Sequence, residues 1–218
     1  MQTVKVKTNK GTENAINNFP VMKTLKEAKK KSPEQLTIHG YKLRNWLDSL
    51  QDSNGIYYLD IDIAGLKQYS MHYCDHANKK VLEFDYHAEP KDIEDERKEF
   101  LEALMFDLSL FPDEPILVFN RMEIEEFLLN LSAIYYENAT AVNSIISRLT
   151  SIDMLQVFKG GIYQDTGIKE FTIDGIYRNL YPGTSRTFAK AQGSYGMHLI
   201  ILAVKSIIYQ IAGMKMVA

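Results

Sequence analysis

Asp60 and Asp62, one residue apart, interrupt the apolar run Gly55-Ile-Tyr-Tyr-Leu-Asp60-Ile-Asp62-Ile. The β-branched and aromatic residues of that run, opened by the turn Asp52-Ser-Asn-Gly55, predict a buried strand. Successive strand side chains alternate faces, so both carboxylates point to one side. Like charges held there repel, and burying a carboxylate is costly unless an opposite charge accompanies it. A divalent cation with oxygen ligands, Mg2+ or Mn2+, is the chemical complement of such a pair. On spacing alone the alternative is a strand end at a rim, with both aspartates solvated or capping a loop.

Other donor sets are weaker. His72, Cys74 and His76 alternate, with His87 close behind, and these are zinc-type ligands. A structural zinc site draws on separated ligand pairs, however, and His76 falls in the turn Asp75-His-Ala-Asn-Lys79. Gly193-Ser-Tyr-Gly196 ahead of a helix has the outline of a phosphate cradle, but without the lysine of a P-loop a simple turn is expected. Cys74 shows no partner pattern that marks a nucleophile.

The elements that must carry the aspartates follow from the rest of the chain. At 218 residues, 45% hydrophobic and 24% charged, the composition is that of a globular protein with a substantial core. A single cysteine excludes an internal disulfide framework and suits a reducing, cytoplasmic setting. The N-terminus lacks the apolar core of a signal peptide, and Leu199 to Val204 is too short to span a bilayer. Charge is segregated: residues 1–50 carry a net +6, residues 51–174 a net −14, and residues 175–218 a net +5 with no acid. An acidic middle between basic ends suits a metal site flanked by phosphate-contacting arms; solvated charge faces clustering by chance are the alternative.

Residues 1–50 are expected to form a basic N-terminal arm with a helix, and residues 51–218 one domain. Thr3-Val-Lys-Val-Lys-Thr8 reads as a short edge strand or a tail. Ser32-Pro33 predicts a helix start, with an apolar face of Leu43, Trp46, Leu47 and Leu50 and a break near Gly40. After the Asp60 strand, Gln68 to Tyr73 and Lys80 to Tyr86 predict two more strands in an antiparallel meander. A helix is expected from Pro90 to Leu108, then a short strand Ile116 to Phe119 reaching Asn120. Helices follow over Glu123 to Tyr136 and Ala139 to Leu149, and Ile152 to Phe158 reads as a strand carrying Asp153. Helices over Thr172 to Leu180 and Tyr195 to Ile211 complete an α/β fold with mixed strand directions.

This order resembles the ribonuclease-H-like fold, and within it the DEDD 3′–5′ exonuclease superfamily. It is most similar to an uncharacterised bacterial family of exonuclease-like domains found beside Cas4-like nuclease regions. The residues that carry the resemblance are Tyr57-Tyr-Leu-Asp60-Ile-Asp62, Gln68-Tyr-Ser-Met-His72, Leu117-Val-Phe-Asn120-Arg-Met-Glu123 and Arg148-Leu-Thr-Ser-Ile-Asp153. Gly167 to Tyr181 and the glycine-bearing turn after it complete the set.

The resemblance implies two-metal phosphodiester hydrolysis. Asp60, Asp62 and Glu123 would be the metal ligands, with Glu125 or Glu126 as alternatives to Glu123. Glu123 also has a structural explanation, a carboxylate favoured in the first turn of a helix. Asp153 would be a supporting acid, and its structural explanation is a polar strand end. Tyr195 or His198 would position water. Asn120, Lys29, Lys30, Lys31, Arg178, Arg186 and Lys190 would contact single-stranded DNA or RNA. The superfamily places a further Asp on the last helix, and no Asp or Glu follows Asp174 here. Either the chain stops before that motif or the site is degenerate, which leaves a binding module for nucleic acid or a protein as the alternative function.

Overall fold

The computed structural model describes residues 3–8, 36–50, 53–63, 68–75, 80–87, 93–162, 168–180 and 193–211. The chain divides into two compact units, each made of two segments: Met1–Thr8 with Ser53–Asp153, and Asn9–Asp52 with Met154–Ala218. The sequence boundary was set at residue 50; the first unit resumes at Ser53, and the first eight residues belong with it.

The first unit is α/β. Its strands are β1 (Thr3–Thr8), β2 (Gly55–Ile61), β3 (Gln68–Asp75), β4 (Lys80–His87) and β5 (Ile116–Val118), in the spatial order β1-β4-β3-β2-β5. The meander β2-β3-β4 is antiparallel, β1 closes its outer edge antiparallel to β4, and β5 runs parallel to β2. The Val/Lys alternation of Thr3–Thr8 is therefore an edge strand.

The sheet's two faces follow from the alternation of these sequences. Tyr57, Leu59 and Ile61 of β2, Tyr69, Met71 and Tyr73 of β3, and Leu82, Phe84 and Tyr86 of β4 form one apolar face. Helices α2 (Ile93–Ser109), α3 (Arg121–Ile134) and α4 (Ala139–Arg148) bury their apolar stripes in the same core, through Phe100, Leu101, Leu104 and Leu108, then Ile124, Phe127 and Leu128, then Val142 and Ile145. These spacings of three and four residues are one face of a helix.

Aromatic rings set how the helices meet the sheet. Tyr69 and Tyr86 stack at 5.4 Å, Phe100 of α2 meets both rings edge-on at 5.4 and 5.7 Å, and Phe127 of α3 meets Phe100 edge-on at 5.9 Å. Each such contact adds about 0.5–1.5 kcal/mol beyond area burial. Tyr69 pairs with Ile61, so this cluster lies beneath the end of β2 that carries the aspartates.

The opposite end of β2 is anchored by Glu114, whose carboxylate accepts the backbone N–H groups of Asn54 and Gly55 at 3.2 and 3.1 Å. Arg148, at the end of α4, donates to the carbonyls of Glu114, Leu108 and Phe111 at 2.9, 3.0 and 2.7 Å. Its guanidinium also lies 5.6 Å from the centre of the Tyr57 ring.

The named elements of the second unit's described residues are helices: α1 (Ile38–Ser49), α5 (Met154–Gly160), α6 (Ile173–Leu180) and α7 (Gly193–Ile211). Leu43, Trp46 and Leu47 of α1, Val157 and Phe158 of α5, Ile176, Tyr177 and Leu180 of α6, and Met197, Ile200, Ile201 and Val204 of α7 are buried. No helix among the described residues is long and apolar enough to cross a membrane.

Two local expectations are corrected. The helix predicted to start at Ser32-Pro33 has Thr37 as its N-cap, and the Thr37 hydroxyl accepts the Gly40 N–H at 3.1 Å. Leu36 and Thr37 lie outside any helix, while the Ser32-Pro33 start itself lies outside the described residues. The strand predicted over Ile152 to Phe158 is instead the helix α5, with Met154, Val157 and Phe158 buried at helical spacing. A short apolar run fits either period, and burial on one side of a helix won here.

Candidate functional site: an acidic edge of the sheet

Asp60 is the penultimate residue of β2, and Asp62 follows the strand's end, where its N–H donates to the Gln68 carbonyl at 3.0 Å. Both are half-buried. Burial holds the Asp60 carboxyl above the ordinary aspartate range, and the charge of Asp62 raises it further. Both influences favour a proton on Asp60 over a bare charge, and a bound cation would answer the same electrostatic demand. The alternation argument covers Asp60 alone, because Asp62 lies beyond the last residue of the strand.

Three segments running in one direction end at this edge of the sheet. β5 lies beside β2 with Leu59 level with Val118, so the chain after β5 emerges next to Asp60. Leu149 forms a parallel bridge with Ile116 on the far side of β5, and the Thr150 N–H donates to the Ile116 carbonyl at 2.9 Å. Asp60 and Asp62, then Asn120 and Glu123, then Asp153 therefore follow the carboxyl ends of adjacent parallel segments, where open α/β sheets present their ligand crevices. The strand expected over Ile152 to Phe158 is absent from these described residues; the only pairing on this side of β5 among them is the single bridge at Leu149, and Asp153 lies between that bridge and α5.

Asn120 is the N-cap of α3 and Glu123 stands in that helix's first turn. The Asn120 Nδ2 donates to Glu123 Oε2 at 2.8 Å. Glu125 is paired instead with Arg121 at 3.3 Å. Among the described residues, no third carboxylate joins Asp60 and Asp62 closely enough to share one ion with them.

Two polar neighbours escaped the sequence reading. Ser70 of β3 lies directly opposite Asp60, and Asp85 of β4 lies directly opposite Ser70. Residues paired across strands share a face, so Asp60, Ser70 and Asp85 form one row, with Asp85 about 10 Å from Asp60 at two strand spacings. A register slip of one residue would move these side chains to the other face, so the row is fixed only by the observed pairing.

The remaining predicted residues lie elsewhere or outside the described chain. Tyr195 and His198 belong to α7 in the second unit, their rings edge-to-face at 6.3 Å, with His198 buried. Arg178 of α6 is ion-paired with Asp174 one turn earlier. Lys29, Lys30, Lys31, Arg186 and Lys190 lie outside the described residues.

Of the zinc-type set, His72 and Cys74 are buried on one face of β3, in register with Tyr58 and Ile56. Burial, and then the charges of Asp75 and Glu83, push the Cys74 thiol up, so it stays protonated. His76 lies outside the described residues.

Comparison with models of known families, with characterised proteins and with solved structures gives no match to this chain.

Proposed function

We propose that the chain is a metal-dependent hydrolase of nucleic-acid phosphodiesters, ribonuclease-H-like in fold and 3′–5′ exonuclease-like in action on single-stranded DNA or RNA. The observation that carries this is the gathering of Asp60, Asp62, the Asn120–Glu123 pair and Asp153 behind the carboxyl ends of three parallel segments of one sheet. The strand order β4-β3-β2-β5, an antiparallel meander with a parallel neighbour beside its first strand, is the order expected of that fold.

Asp60 and Asp62 are the proposed primary ligands of Mg2+ or Mn2+; Glu123, whose carboxylate stands apart from that pair, is a further proposed ligand and Asp153 a supporting acid. Their oxygens suit these hard cations, and the mutual repulsion at Asp60 is the stress a cation relieves. Bound there, the metal would supply an activated water and charge stabilisation for the leaving oxygen. The ion takes the ionised Asp60, whose proton affinity is raised, so uptake of the ion weakens as pH falls. The lysines of the basic N-terminal segment, with Arg186 and Lys190, are proposed phosphate contacts on charge alone.

A catalytically degenerate module that binds nucleic acid or a protein is the second function, favoured by the absence of any Asp or Glu after Asp174. Calorimetric titration with manganese separates the two. The hydrolase binds manganese with an affinity that Asp60→Ala removes, whereas a degenerate module takes up none and retains salt-dependent affinity for single strands.

A further inference from the structure

Helix α3 buries Ile124, Phe127, Leu128 and Leu131, and a helix so seated ordinarily turns a polar face to water. Its outer face carries an apolar row instead. Met122 and Tyr136, at 72% and 82%, are the most exposed large apolar side chains among the described residues, and Leu129, also exposed, lies midway between them. Met122 and Leu129 stand two turns apart on one stripe of α3, and Tyr136 stands at the next such interval, in the short turn after the helix. Exposed Ala133, one turn beyond Leu129, is small enough to let another helix approach. Isolated exposed apolar residues are ordinary, but a row at this seven-residue interval is the pattern of helix–helix packing. Charge is one-sided along the same helix: Arg121, Glu123, Glu125 and Glu126 crowd its start, residues 127–136 carry none, and Glu137 follows.

We infer that this face binds the same face of a second copy of the chain, with the two α3 helices antiparallel and Leu129 on the two-fold axis. A two-fold contact must be self-complementary, because each residue that meets another is met by it in return. With Leu129 on the axis, Met122 meets the partner's Tyr136, a thioether against an aromatic ring. Arg121 meets the partner's Glu137, and the acids Glu125 and Glu126 meet the partner's Ala133 and the partner's Ser132, which carry no charge. A parallel pair would set each acid against its own counterpart, and like charges so placed are costly. The charge pattern therefore selects both the occupant and its direction. Arg121 is paired in its own chain with Glu125 at 3.3 Å and Glu137 with Lys98 at 4.0 Å, all four side chains partly exposed and open to a second partner. One helix pair about 21 Å long buries less than the roughly 1,200 Å² of a standard interface, so the dimer is weak and fills as concentration rises. The contact needs no ion or nucleic acid and stands apart from the hydrolase.

The test is sedimentation equilibrium on the full chain at concentrations up to about 1 mM, the weak end of specific binding, with Tm recorded for each variant. Wild type is expected to pass from monomer to dimer as concentration rises and to stop there. Leu129→Lys sets two like charges face to face on the axis and is expected to weaken the dimer about 10-fold or more, with Tm little changed at an exposed site. Arg121→Glu and Glu137→Arg are each expected to weaken it about 3-fold, as exposed ion pairs are modest but act twice per dimer. The Arg121→Glu/Glu137→Arg double variant is expected to regain the wild-type affinity. A monomer at every concentration overturns the inference and leaves the face to a different protein, and association that continues past the dimer overturns it too. So does a dimer that Leu129→Lys leaves equally tight, or a double variant no tighter than the single ones. If Leu129→Lys also lowers Tm, the charge exchange decides: restored affinity supports the dimer, and failure to restore it overturns it.

Discussion

The charge of Asp62 acts on the Asp60 carboxyl and adds to the larger effect of burial in raising its proton affinity. Folded Asp60 therefore keeps its proton to a higher pH than the unfolded chain does. Between the ordinary aspartate range and the raised value the native state binds more protons, so stability falls as pH rises through that window. Asp60→Asn removes this penalty. It is expected to raise Tm at pH 7 in metal-free buffer, by roughly 2–4 °C for each kcal/mol relieved, and to have no effect below about pH 3, where both states are protonated. Thermal scans across pH check this, and added manganese should stabilise wild type but not the variant.

Arg148 is a structural clamp on the start of β2, through three carbonyls and the Tyr57 ring. A lysine keeps the charge but not the planar fork that reaches three acceptors. Arg148→Lys is expected to cost about 2–4 kcal/mol in urea unfolding, because the carbonyls lose charged donors in a partly buried place.

Asp107 is buried at 1% exposure and accepts the Tyr69 hydroxyl at 2.6 Å. Tyr69→Phe removes that donor while keeping the stacked ring, with an expected loss of about 1–3 kcal/mol. A double-mutant cycle with Asp107→Asn should show coupling between the two, since they share one bond.

Gly40 lies inside α1, where alanine normally stabilises a helix by about 1 kcal/mol. A Cβ at Gly40 would collide with the Ile162 carbonyl, the same group that accepts the Thr37 N–H at 3.1 Å. Gly40→Ala is therefore expected to lower Tm, the reverse of the propensity effect. The glycine that suggested a helix break in sequence instead permits close packing.

The parts of the fold legible in the sequence are those governed by local period. The Asp60 strand, the two strands after it and α2, α3 and α7 have strict alternation or helical stripes, and all form near their predicted bounds. The parts that were not legible depend on partners distant in the chain. The start of α1 at Thr37 is set by backbone pairing to Ile162, a partner that no local signal names. The run Met154 to Phe158 suits strand and helix equally, and only burial chooses between them. β1 was recognisable as a strand, while its pairing with β4 joins residues some eighty positions apart.

The candidate site divides along the same line. Asp60 and Asp62 declared themselves by their spacing. The tie between Asn120 and Glu123 was hidden because their sequence imitates an ordinary cap. The row Asp60, Ser70 and Asp85 needed the register of two hairpins.

The central claim is most directly tested by incubating 5′-labelled single-stranded DNA and RNA with the protein and manganese, beside Asp60→Asn and Asp62→Asn. Stepwise shortening from the 3′ end is predicted for wild type, with loss of about 100-fold or more in either variant, as for removal of a group that supplies several kcal/mol to the transition state. It should stop when the metal is chelated. No shortening by wild type, or equal shortening by wild type and the two variants, would contradict a metal-dependent hydrolase built on Asp60 and Asp62.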